Sequence, residues 1–167
     1  MADQQPEVWL RGAVADVPPA LQPVAHALLQ AREDVDRYAP GMSSEVLWKH
    51  AGAATAAFHL AHMAGALDRL FTYARGEALT DEQRAAAKGE SQDRPEIDGL
   101  ALAAVVSAAV DRALAQLRAT DVKTLFDERR VGRTASSSVQ GLLFHAAEHT
   151  TRHAGQFITT AKLLQGL

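Results

Sequence analysis

No stretch of this chain alternates apolar and polar residues with a period of two; its apolar residues return at steps of three and four. Leu21, Val24, Leu28, Ala31, Val35 and Tyr38 show the pattern, which puts them on one stripe of a helix. Composition agrees. Alanine is the commonest residue, isoleucine occurs twice and aromatics make up 5%, a bias toward helix formers and away from residues that favour strands. An all-α fold is the expectation. With 167 residues, 47% hydrophobic and 22% charged, the chain reads as one domain over residues 1–167 around a single core.

Local stop and start signals divide it. Residues 1–19 read as an extended lead-in ending in Val17-Pro18-Pro19. A first helix is expected from about Ala20 to Tyr38, stopped by Pro40-Gly41. A short turn around Ser43–Lys49 follows, and a second helix is expected from about Ala51 to Ala74, with Gly76 just beyond its end. Thr80-Asp81-Glu82-Gln83 has capping-box spacing and predicts a short helix. Lys88–Pro95 reads as a polar connection. A third long helix, near Glu96–Ala119, carries Leu102, Val106, Val110, Leu114 and Leu117 on one face. Thr120–Thr134 reads as an irregular charged connection, and Ser137-Ser138-Val139-Gln140 suits the start of a last helix reaching about Leu164. Four long helices with modest links predict a four-helix bundle.

Several function classes are disfavoured. Seventeen basic against 20 acidic residues give a formal charge of −3, with no basic run to grip nucleic acid. No cysteine is present, so thiolate nucleophiles, disulfides and cysteine metal sites are out. The start, MADQQPEVWLRG, lacks the basic and apolar segments of a secretory signal. The uncharged run between Lys49 and Asp68 is too rich in Ala, Gly and His for a membrane span. A soluble cytoplasmic protein is expected, without nucleic-acid or membrane partners. Ser136-Ser137-Ser138 reads as a helix cap, not as a nucleophile.

Chemistry concentrates in the histidines. Five of the seven fall in two clusters, His59 and His62 on the second helix and His145, His149 and His153 on the last. His26 and His50 stand alone and read as ordinary side chains. On a helix, positions four apart lie about 40° apart around the axis with about 6 Å of rise, so neighbouring members can address one ion. The outer pair, His145 and His153, is about 12 Å apart along the axis and cannot. Gln156 and Thr160 continue the stripe. Glu148 and Arg152, at i and i+4, suit a surface pair, which turns the histidines toward the interior or its border. Two readings stand at this point: a metal site, or hydrogen-bonded structural histidines. One ligand from the second helix and two from the last would leave coordination positions open, the layout of a catalytic site. Imidazole suits Zn, Ni, Cu or Fe(II). The Glu immediately before His149 does not make the zinc-protease HExxH motif.

Phe58-His59-Leu60-Ala61-His62-Met63-Ala64-Gly65 resembles the first histidine motif of the DinB-like (DinB/YfiT) superfamily. His145 through Glu148-His149, Arg152-His153 and Gly155-Gln156 resembles its second, of the form HxxxHxGQ. The resemblance runs over essentially the whole chain. It implies a four-helix bundle holding a divalent metal ion, Zn or Ni first among candidates, on three histidines, and usually a homodimer. Carried over position by position, the ligands are His62, His149 and His153, with His59 the alternative to His62. His59, His145 and Gln156 become pocket or second-layer residues. Members include thiol-dependent transferases and isomerases that use low-molecular-weight thiols such as bacillithiol or mycothiol, and proteins assigned as metal-dependent hydrolases. The function this implies is a metal-dependent enzyme activating water or a thiol cosubstrate. A non-enzymatic metal-binding or stress-response helical dimer is the alternative. Leu60, Met63, Leu67, Leu70 and Ala74 form a stripe half a turn from His62 that other segments of the same chain or a second copy must cover, and a homodimer is the expectation.

Overall fold

A computed structural model describes residues 5–50 and 54–166. Among the described residues the α-helices are α1 (Gln22–Tyr38), α2 (Ser44–Leu47), α3 (Ala56–Ala74), α4 (Asp81–Gly89), α5 (Gly99–Ala119) and α6 (Val139–Gln165). The chain is mostly helical. The four long helices share one core: α6 packs on α3 and α1, and α5 packs on the same two. Phe157, Leu28, Leu60, Met63, Leu67 and Leu143 are fully buried at its centre. Truncating one such Leu to Ala costs about 2–5 kcal/mol.

Helix ends follow the local chemistry. Ser43, Thr55, Thr80, Asp98 and Ser138 each accept a hydrogen bond from a backbone N–H of the first turn. The capping box at Thr80 and Gln83 is complete, its two bonds 3.0 and 3.1 Å long. After α3 the chain turns at Gly76, whose φ of 81° an L side chain rarely adopts. The expected start of this helix near Ala51 falls partly on residues 51–53, outside the described residues; the helix itself begins at Ala56.

Several expectations need correction. The connection Thr120–Thr134 is not irregular throughout, and the fold is not purely helical. Glu128–Val131 pairs antiparallel with Ala135–Ser138, giving strands β1 and β2 in the register Glu128↔Ser138 to Val131↔Ala135. No residue of this hairpin is fully buried, so nothing forces the apolar alternation by which strands are recognised. The lead-in is not simply extended: Val8–Leu10 and Pro19–Leu21 each form a 3₁₀ turn. It lies along α1, with Gln30 accepting from Val8 N–H and Gln22 bonded to Val14 and Val17. Finally, Leu60, Met63, Leu67 and Ala74 are buried in this chain's own core. The stripe they form is covered from within and gives no argument for a second copy.

Among the described residues α5 is long and apolar enough to cross a membrane by length and composition alone. Its Leu102, Val106, Val110, Leu114 and Leu117 are buried in the protein core.

Candidate metal centre

The α3–α6 packing carries the histidines. Ala56 and Ala57 on α3 and Ala146, Ala147 and Ala154 on α6 are buried, and imidazoles of the two helices come into contact. Ring nitrogens of His62, His149 and His153 lie within 4.8 Å of one another. The His62 Nε2 and His149 Nε2 atoms are 3.0 Å apart. Two ligand nitrogens on one ion with bonds of about 2.0–2.1 Å sit roughly 3 Å apart, so this spacing suits a shared cation. His59, the alternative on α3, places its Nδ1 3.0 Å from Nδ1 of His153. It touches the cluster from the buried side.

The remaining expected site residues lie outside that group. His145 is exposed and donates through Nδ1 to Oε1 of Glu148 at 2.8 Å, while its ring centroid is 5.4 Å from that of His149. Glu148 also receives Arg152, at 2.6 and 2.8 Å, the expected surface pair. Gln156 is exposed, with no side-chain hydrogen bond among the described residues. His26 meets the Gly12 carbonyl and His50 the Asp93 carboxylate, both away from the cluster.

Electrostatics favours neutral rings. Burial first, then the neighbouring imidazoles of His149, His62 and His59, lower His153 to about 4. Burial and then His62 hold His59 below its ordinary value. Burial, followed by His62, His145 and Arg152, does the same for His149 against the opposing pull of Glu148. These three rings are therefore uncharged near pH 7, the form that binds metal. The Nδ1 of His149 is buried without a partner among the described residues. It is not the nitrogen that faces His62, and a buried water ordinarily satisfies such a group. The donor set fits a divalent cation.

Sequence reading missed the layer behind His62. Its Nδ1 is 2.7 Å from Oε2 of Glu90, which directly follows α4 and whose side chain is 9% exposed. The same carboxylate is paired with Arg69 of α3. Phe58 stacks on the His62 ring, centroids 5.2 Å apart and planes 11° from parallel. Glu90 lies within the stretch read as a polar connection, 28 residues from its partner, and no local pattern marks it. Beside this layer a groove of about 820 Å³ opens between α3, α4 and α5. Ala61, Gly65, Ala86, Glu90 and Val105 line it, and none of the imidazoles does.

Paired histidines on two facing helices of one helical scaffold define the candidate site. The family comparison makes that specific: residues 27–157 match the DinB superfamily, and the chain belongs to it. That match spans both histidine clusters. Among solved structures, a conserved protein from Enterococcus faecalis has a similar fold, with a TM-score of 0.69 at 19% identity, over 88% of this chain and 98% of that one. No curated protein matches the chain.

Proposed function

We propose that the chain is a DinB-like four-helix bundle whose His62, His149 and His153 hold a divalent ion, Zn or Ni, for chemistry on a bound small molecule. The observation that carries this is the meeting of three imidazoles from α3 and α6 with ring nitrogens within 4.8 Å. Three neutral nitrogen ligands leave coordination positions for substrate. When bound, such an ion acts as a Lewis acid that lowers the pKa of a coordinated water or thiol.

The chain's own residues supply positioning. His59 meets Nδ1 of His153 from behind, and Phe58 covers one face of His62, so both rings are fixed in orientation. With no cysteine in the chain, a sulfur nucleophile has to arrive as a cosubstrate. A low-molecular-weight thiol in the reducing cytoplasm is the candidate, and transfer of that thiol or hydrolysis by water are the two reactions the open positions serve.

Metal analysis of untagged protein tests the reading. About one ion per chain is expected, lost in His149→Ala and His153→Ala. A turnover screen with bacillithiol, mycothiol and glutathione against electrophiles, run beside ester substrates, separates transferase from hydrolase. Metal-free native protein with no affinity for added Zn²⁺ or Ni²⁺ would sink the proposal.

A further inference from the structure

His62, Gly65 and Arg69 fall at i, i+3 and i+7 on α3, one face of the helix. Glu90 lies against all three. Its carboxylate is 2.7 Å from Nδ1 of His62 and pairs with both terminal guanidinium nitrogens of Arg69, Nη2 at 3.3 Å. Side-chain exposure is 9% for Glu90 and 16% for Arg69, so water competes poorly for these bonds. Gly65 makes the approach possible: a Cβ there would collide with the Glu90 carboxylate and come within 2.8 Å of the Arg69 guanidinium.

We infer that Glu90 is a positioning residue that fixes the tautomer of His62, with Arg69 and Gly65 holding it in place. A carboxylate facing a guanidinium accepts hydrogen bonds and donates none. The contact at 2.7 Å therefore requires a His62 proton on Nδ1, and in the neutral ring, the form that binds metal, the lone pair is then on Nε2. That Nε2 is the atom directed at His149. A carboxylate behind a ligand imidazole also raises its basicity and sets its ring plane.

The placement of Glu90 depends on α4, which buries none of its residues. Two polar anchors tie this segment to α3: Gln83 Nε2 donates to Asp68 and Thr72 at 2.6 and 2.9 Å, and Glu90 meets Arg69 and His62. Order in α4 and readiness of the site are thereby linked.

The inference rests on the metal reading above, and the test separates the two. Zn²⁺ affinity is measured by competition with a chromophoric chelator for wild type, Glu90→Gln and Gly65→Ala. Nitrogen-15 NMR of the metal-free proteins at mildly alkaline pH reads the His62 tautomer. Expected are an affinity lowered about 10–100-fold in Glu90→Gln, a smaller loss in Gly65→Ala, one ion per chain throughout, and a His62 proton that leaves Nδ1 in part of the Glu90→Gln population. Helical content by circular dichroism monitors folding of each variant. Wild-type affinity in both variants with the tautomer unchanged overturns this inference and leaves the metal reading standing. Failure of wild type to take up Zn²⁺ overturns both.

Discussion

Two helical segments reach His62, and they are held by different forces. α6 brings His149 and His153 on a helix whose Leu142, Leu143, Ala146, Ala147, Ala154 and Phe157 are buried in the core. α4 brings Glu90 just past the end of a helix that buries nothing. Core packing is non-directional and sums many small contacts, whereas a few polar anchors fail when any one is lost. On that ground the imidazoles are expected to be set by the stability of the whole domain, and the carboxylate behind them by a local equilibrium. The first part of the site should open only when the protein unfolds, and the second should open alone.

The widest gap between the two segments should appear on Phe157→Ala. Phe157 is fully buried one turn beyond His153, and its truncation should cost about 3–5 kcal/mol, read from urea unfolding. Zn²⁺ affinity should fall with it. Retained affinity in a strongly destabilised variant would break the link between core and ligands.

Acid should act next, and on the α6 side. In metal-free protein His153 titrates at about 4 when folded, against about 6.5 when unfolded. Between those values the unfolded chain holds a proton that the folded one lacks, so stability falls as pH drops from about 6.5 toward about 4. Urea midpoints across that range should show the decline, and His153→Gln should flatten it. A profile with equal slope in both proteins would count against this account.

On the α4 side, Thr80→Ala removes the capping bond and should cost about 1 kcal/mol. Amide exchange should quicken through Asp81–Gly89, while the urea midpoint of the domain moves little. If exchange instead changes evenly over all helices, α4 is not a separate unit. Smallest of all, Arg152→Ala breaks an exposed i,i+4 pair worth about 0.3–0.5 kcal/mol. Zn²⁺ affinity should stay as in wild type, which a chelator titration would check.

What sequence revealed and what it hid divide along the same line. Ser138, Thr80 with Gln83, and Gly76 were legible because each helix end is specified by residues within one turn of it. His62, His149 and His153 were legible because helical spacing aligns a repeated residue type, and the family resemblance paired the clusters. The hairpin was not, since its strands lie on the surface and depend on pairing across the turn rather than on burial. Neither was Glu90, one acid in a polar run, whose meaning comes from α4 folding back on α3. Whether its own chain or a second copy covers the stripe Leu60–Met63–Leu67 stayed open in the sequence, which shows that a helix has two apolar sides without showing what packs on each; the core of this chain covers it.

The 3.0 Å approach of His62 and His149 joins positions 87 residues apart. Everything between them, α4, α5 and the hairpin included, is a loop that returns to where it left. A cation gripped by both rings would clasp that loop at its neck, shrinking the freedom of the unfolded chain by an amount that grows with the logarithm of loop length. Binding of the ion would then add stability to more than half the polypeptide at once, so the loaded protein should resist proteases far from the clasp as well as near it.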